Sequence, residues 1–117
     1  MANDQTHFDF AGKKAVVSGA TRGIGRAITE ALLERGAQVV GVYGGNEAAA
    51  EAMAAACDRF GDRLRLHRLD VSDFAAATAF FQALEAEWDT LDILVNNAGI
   101  RRDAVLAMMR EEDWRRV

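Results

Sequence analysis

Proline is absent from this chain of 117 residues, and cysteine and tyrosine occur once each. The missing proline assigns no function. The single cysteine, Cys57, cannot close an internal disulfide. That excludes a disulfide-stapled scaffold and fits a reducing compartment, so a cytoplasmic location is expected. Cys57 stands among alanines with no histidine beside it, and reads as a small core filler rather than a reactive thiol. No apolar run approaches the roughly 18 residues needed to cross a bilayer. Residues 1–6 lack the basic-then-apolar order of a secretory signal. Excess positive charge is missing too: 14 Lys and Arg against 18 Asp and Glu give a net charge of −4. That excludes a nucleic acid held by bulk charge and offers nothing to a membrane surface. There are no repeats, linkers or low-complexity segments, and the alanine-rich stretch 48–56 is helix propensity. What is present is 50% apolar residues, enough for the core of one small domain.

Apolar periodicity gives four strands separated by three helices. Residues 14–18 read as a first strand and 23–35 as a helix with Ile24, Ala27, Ile28, Ala31 and Leu32 on its apolar face. Gly36 stands where a left-handed terminator is wanted. A second strand spans 38–43, and Asn46 caps a helix running to about Phe60. A third strand spans 63–69. Ser72 caps a third helix with the face Phe74, Thr78, Phe81, Leu84 and Trp88, and 91–96 form the fourth strand. Residues 1–7 are expected to be disordered, with Phe8 and Phe10 anchoring the entry to the first strand. Such alternation predicts an α/β fold, a doubly wound parallel sheet of order 3-2-1-4 with helices on both faces. Strands one, two and four are continuous apolar runs, as strands covered on both faces should be. Strand three alternates Leu64 and Leu66 with Arg63, Arg65, His67 and Arg68, so it should be an edge strand with its charges outward. His67 there reads as a solvated histidine.

The stretch Ser18-Gly19-Ala20-Thr21-Arg22-Gly23-Ile24-Gly25 follows the apolar run Ala15-Val16-Val17 directly. A glycine-rich turn between a buried strand and an amphipathic helix is a place to hold a phosphate. The helix start offers free N–H groups and the positive end of its dipole, and glycine lets the backbone come close. A purely structural turn is the competing reading. Two more segments close strands three and four: Asp70-Val71, and Asn96-Asn97-Ala98-Gly99.

With these three motifs in order, the chain resembles the N-terminal half of a short-chain dehydrogenase/reductase. The family's T-G-x-x-x-G-x-G appears with Ser18 for threonine, keeping the hydroxyl, then Gly19, Gly23 and Gly25; its N-N-A-G is Asn96 to Gly99. The stretch Gly99-Ile100-Arg101-Arg102-Asp103, with Met109-Arg110-Glu111-Glu112-Asp113-Trp114, is similar to 3-oxoacyl-[acyl-carrier-protein] and acetoacetyl-CoA reductases. The resemblance implies a Rossmann-like fold and a nicotinamide dinucleotide held by residues 18–25, Tyr43, Asp70, Val71, Asn97, Ala98 and Gly99. Asp70 with the Val71 backbone would contact adenine; a helix-start carboxylate is the alternative. Asn97, Ala98 and Gly99 would face the ribose and nicotinamide at the switch point beside strand one, while Asn96 stitches strands through its amide.

Cofactor choice has its own signal. NAD-binding folds place an acid about 20 residues after the glycine motif, to take the ribose 2′-hydroxyl. Here strand two ends Val42-Tyr43-Gly44-Gly45-Asn46, with no acid until Glu47. A 2′-phosphate would meet no carboxylate and one guanidinium, Arg22, able to grip it through two bonds. This favours NADP(H) over NAD(H), against a solvated surface arginine as the alternative for Arg22.

The resemblance covers about half of the family's usual length. It puts the family's catalytic asparagine, serine and Y-x-x-x-K pair beyond Val117, where the chain stops within an expected helix bearing Trp114 and Val117 on its buried face. Tyr43 is no substitute, since Glu47 stands where the lysine would be. No catalytic residue and no metal ligand is therefore assigned. The implied enzyme is an NADPH-dependent reductase of 3-oxoacyl thioesters, of which this chain supplies the cofactor half and is inactive alone. The thioester would bind only with the remainder of the family's length. A nucleotide-binding module needing a complementing chain is the second reading, with an oligomeric chain expected from the exposed edge of strand four. An interaction protein that lost the chemistry is the third, and the intact glycines weigh against it.

Overall fold

The computed structural model describes residues 9–97. Expectations for 1–8, for Ala98 and Gly99, and for 100–117 fall outside the described residues. Four strands, β1 (Lys14–Ser18), β2 (Gln38–Tyr43), β3 (Leu64–Arg68) and β4 (Ile93–Val95), alternate with helices α1 (Gly23–Glu34), α2 (Glu47–Ala56) and α3 (Phe74–Glu87). The strands pair in parallel in the order β3-β2-β1-β4, as the alternation requires. β3 is an edge, and β4 is the other edge among the described residues.

The side-chain period of a strand sorts residues onto two faces. Ala15, Val17 and Val39 point to one face and join Leu33, Met53, Cys57 and Phe60 from the α1–α2 side. Val16, Val40 and Val42 point to the other and join Ala77, Leu84 and Trp88 from the α3 side. Both faces of the central pair are covered, which is why β1 and β2 are continuous apolar runs. β4 is half-buried along its length. Asp92 fixes its entry by exchanging two bonds with Lys14: its carboxylate accepts the Lys14 N–H and its own N–H donates to the Lys14 carbonyl, each at 2.9 Å.

Four local expectations are corrected. The buried residues of α1 are Gly25, Thr29, Leu32 and Leu33, whereas Ile24 is 71% exposed and Ala27 and Ala31 are also exposed. A glycine and a threonine make the close contact, so hydropathy alone rotates the helix the wrong way. The second helix ends at Ala56, and the chain tightens into a 3₁₀ turn over Asp58–Arg63. That turn swings Phe60 into the core, where its ring packs under the Arg59 and Arg63 guanidinium groups.

The cap of α3 is Asp73, whose carboxylate accepts the Ala76 N–H at 3.1 Å. Ser72 is unavailable because its N–H and hydroxyl both donate to Asp70 Oδ1, at 2.9 and 2.6 Å. Phe74 is 63% exposed; it lies in the first turn of α3, while the buried face is made by Ala77, Leu84 and Trp88 with half-buried Phe80 and Phe81.

Candidate functional site

The glycine turn is built by sterics. Gly19 and Gly23 both adopt positive φ, 65° and 60°, which side chains with a Cβ resist. Gly25 is required for a different reason: a Cβ there would overlap the Gly19 carbonyl and stand 2.8 Å from Asn97 Nδ2. The first turn of α1 therefore sits against both the loop and the end of β4. Thr29, fully buried, donates to the Gly25 carbonyl at 2.8 Å and holds that turn.

Ser18 ties the loop to β4. Its hydroxyl accepts the Asn97 N–H at 2.8 Å and faces the Asn96 Oδ1 at 3.2 Å. Asn96 thus does link the strands through its amide, though its Nδ2 is buried with no partner among the described residues. Ala20 is fully buried; its N–H donates to the Val42 carbonyl at 3.1 Å, and its methyl fills the space that a side chain at Gly41 would need.

These contacts leave a cleft of about 1100 Å³ along the carboxyl ends of β1, β2 and β3. Its walls include Gly19, Thr21, Arg22, Gly23 and Ile24 from the loop and α1, Tyr43 to Asn46 from the end of β2, Asp70 and Val71 after β3, and Asn97. Ser18, Ala20 and Gly25 stand behind that wall and shape it. Ala98 and Gly99 lie outside the described residues.

The three helix starts differ in a way that matters here. α2 is capped by Asn46, whose side chain accepts the Ala49 N–H at 3.0 Å, and α3 by Asp73. α1 opens at Arg22 with no side-chain cap and no acid in its first turn. Its N–H groups and dipole are left for an anion in the cleft. Arg22 is exposed and its side chain makes no hydrogen bond or ion pair among the described residues.

At the far end, Arg68 enters the cleft wall from β3. The alternation along β3 places it among the outward charges of an edge strand. Its register partner is Tyr43, the last residue of β2; that pairing is the signal that could have located it. Glu47 is held by its neighbours: Oε1 accepts the Tyr43 hydroxyl at 3.2 Å and Oε2 accepts Arg68 Nη1 at 3.1 Å. Desolvation and then the bond to Glu47 raise the Tyr43 phenol above its ordinary value, so it is a neutral donor near pH 7. Asp70 and Asp73 spend their carboxylates on local N–H and hydroxyl groups. No cluster of metal-ligating side chains occurs among the described residues, and no helix among them is long and apolar enough to cross a membrane.

An uncapped helix start behind a glycine turn, with a cleft running to the ends of β2 and β3, can cradle a phosphorylated nucleotide. The short chain dehydrogenase family matches residues 13–117. The chain is 44% identical over 106 residues to the 3-oxoacyl-[acyl-carrier-protein] reductase FabG of Escherichia coli (strain K12), covering 91% of this chain and 42% of that protein.

Among solved structures, the Pseudomonas aeruginosa RhlG/NADP active-site complex superposes with a TM-score of 0.68 at 41% identity, over 80% of this chain and 37% of that one. A short chain dehydrogenase/reductase from Burkholderia phymatum in complex with NAD gives 0.68 at 32% identity, over 80% and 33%. The chain thus spans less than half the length of the relatives it matches. With the sheet order, the glycine turn and these matches in agreement, the chain belongs to the short chain dehydrogenase family of oxidoreductases.

Proposed function

We propose that this chain is the cofactor-binding part of an NADPH-dependent reductase that converts a 3-oxoacyl thioester to its 3-hydroxyacyl form. The observation that carries the cofactor reading is the uncapped start of α1, opening onto the cleft beside Arg22. In this reading the pyrophosphate lies on the N–H groups at Gly23 to Gly25, and Asp70 and Val71 border the adenine. Asn97 stands toward the ribose and nicotinamide, with Ala98 and Gly99 assigned there from the motif alone. The open space around Gly23 and Gly44, where a Cβ would meet nothing within 4 Å, leaves room for the dinucleotide. The bound nicotinamide would supply hydride; these residues bind and orient it.

NADP is favoured because Arg22 is free to grip a 2′-phosphate, and because Glu47, the first acid after β2, is paired with the Arg68 guanidinium rather than standing alone. A relative whose name specifies 3-oxoacyl-[acyl-carrier-protein] reduction supports the substrate class. No catalytic residue is assigned within these residues, so the chain by itself is read as silent toward substrate. A nucleotide-binding module without its own chemistry is the second reading. It rests on the same cleft and on the assignment of every described site residue to the cofactor.

The test is thermal denaturation with and without NADPH, run beside an absorbance assay with acetoacetyl-coenzyme A. The expected result is a rise in Tm that grows with NADPH concentration and no oxidation of NADPH by the chain alone. Absence of any shift would overturn the cofactor reading. Turnover would overturn the assignment of silence.

A further inference from the structure

Arg68 belongs to an edge strand and would pass for a solvated charge. Three observations separate it from Arg59 and Arg65, which are spent on exposed ion pairs away from the cleft. It lies directly beside Tyr43 in the parallel register, at the end of β2. Its guanidinium is aimed by two bonds, Nε to the Gly44 carbonyl and Nη1 to Glu47 Oε2, each at 3.1 Å. Its Nη2 makes no hydrogen bond among the described residues and lies 3.9 Å from where a Cβ on Gly45 would stand, on the cleft wall. In this fold the end of β2 is where the adenosine ribose is read.

We infer that Arg68 is a second reader of the ribose 2′-phosphate, lining the same cleft as Arg22 and aimed by Glu47. This rests on the NADP reading above and adds a residue to it. Glu47 has a double effect. It is the first acid after β2, and each of its oxygens already accepts one bond, from Tyr43 and from Arg68. It also holds the Arg68 fork with Nη2 beside Gly45, a residue of the cleft wall. The Arg68–Glu47 pair is 61% and 50% exposed, so it is screened by solvent and weak. The planar fork can serve both partners at once, Nη1 staying on Glu47 while Nη2 donates to the phosphate.

The experiment is calorimetric titration of the full chain and of Arg68→Met and Arg22→Ala with two probes, adenosine 2′,5′-bisphosphate and 5′-AMP. Methionine keeps much of the length of the side chain and removes the fork. The expected result is that Arg68→Met weakens the bisphosphate by about tenfold, the scale of one charge-assisted hydrogen bond, and leaves 5′-AMP within about twofold. Equal weakening of both probes would show a role in adenine stacking or in the shape of the loop, and would overturn the proposal. So would no change in either while the wild-type preference for the bisphosphate stands, which would leave the NADP reading intact with Arg22 as its only cation. A wild-type chain with no preference between the probes would overturn both together.

Discussion

The backbone N–H of Asn97 donates to the Ser18 hydroxyl at 2.8 Å, joining residues 79 apart in sequence. One oxygen thereby fixes the end of β4 against the start of the glycine turn, and sets the distance between two walls of the cleft. Ser18→Ala leaves that N–H without its partner in a part-buried place. The expected cost is about 1–3 kcal/mol of stability, with weaker binding of dinucleotide. Urea denaturation checks the first and titration the second; an unchanged midpoint would contradict the role given to the hydroxyl.

Gly25 and Gly44 make opposite predictions within one cleft. Gly25→Ala forces a Cβ into the Gly19 carbonyl and toward Asn97, so α1 must shift away from the loop. A loss of about 1–3 kcal/mol is expected, the scale of overpacking, and dinucleotide affinity should fall with it. Gly44→Ala meets nothing within 4 Å and should change stability by less than about 0.5 kcal/mol. Denaturation of the two variants side by side checks the pair.

Much of this was legible in the sequence, and the gaps have physical causes. The bounds of β1 and β2 and the order 3-2-1-4 follow from buried apolar runs separated by short turns, because a parallel sheet leaves few other topologies. The face of α1 was not legible, because its contact is made by Gly25 and Thr29, which carry no hydrophobic signal. The cap of α3 was shifted by one residue because Asp70 competes for Ser72. Arg68 was hidden because alternation along β3 says that its charges avoid the core, while only the register with Tyr43 says that it reaches the end of the sheet where the cleft lies.

Arg63 works as a stabiliser of the fold, away from the cleft. Its Nη1 donates to the Leu33 and Ala37 carbonyls at 2.8 and 2.9 Å, tying the last turn of α1 and the entry to β2 to the start of β3. Arg63→Met should cost about 1.5–3 kcal/mol, the range for hydrogen bonds to a charged group. The preference between NADPH and NADH should not move. Denaturation with a paired titration reads both, and a changed preference would contradict this division of labour.

Cys57 gives a pH dependence. It is buried, and burial first, then the Glu30 carboxylate, push its thiol above the ordinary value. Below about pH 8.5, the ordinary thiol value, folded and unfolded chains both carry the neutral thiol and its contribution to stability is whole. As pH rises further the unfolded chain ionises first, and that contribution is lost until pH has passed the folded value. Tm should therefore fall less steeply from about pH 8 to about pH 10 in Cys57→Ala than in the wild-type chain. Identical slopes would contradict the assignment.

The central claim is that the cleft between the uncapped α1 and the end of β2 holds a nicotinamide dinucleotide and reads its 2′-phosphate. Calorimetric titration of the wild-type chain and of Arg22→Ala with NADPH and NADH tests it most directly. The account predicts that NADPH binds the wild-type chain more than about tenfold tighter than NADH, beyond the scale of a single charge-assisted contact, and that Arg22→Ala narrows that difference while leaving NADH nearly unchanged. Equal binding of the two dinucleotides, tighter binding of NADH, or binding of neither would contradict it.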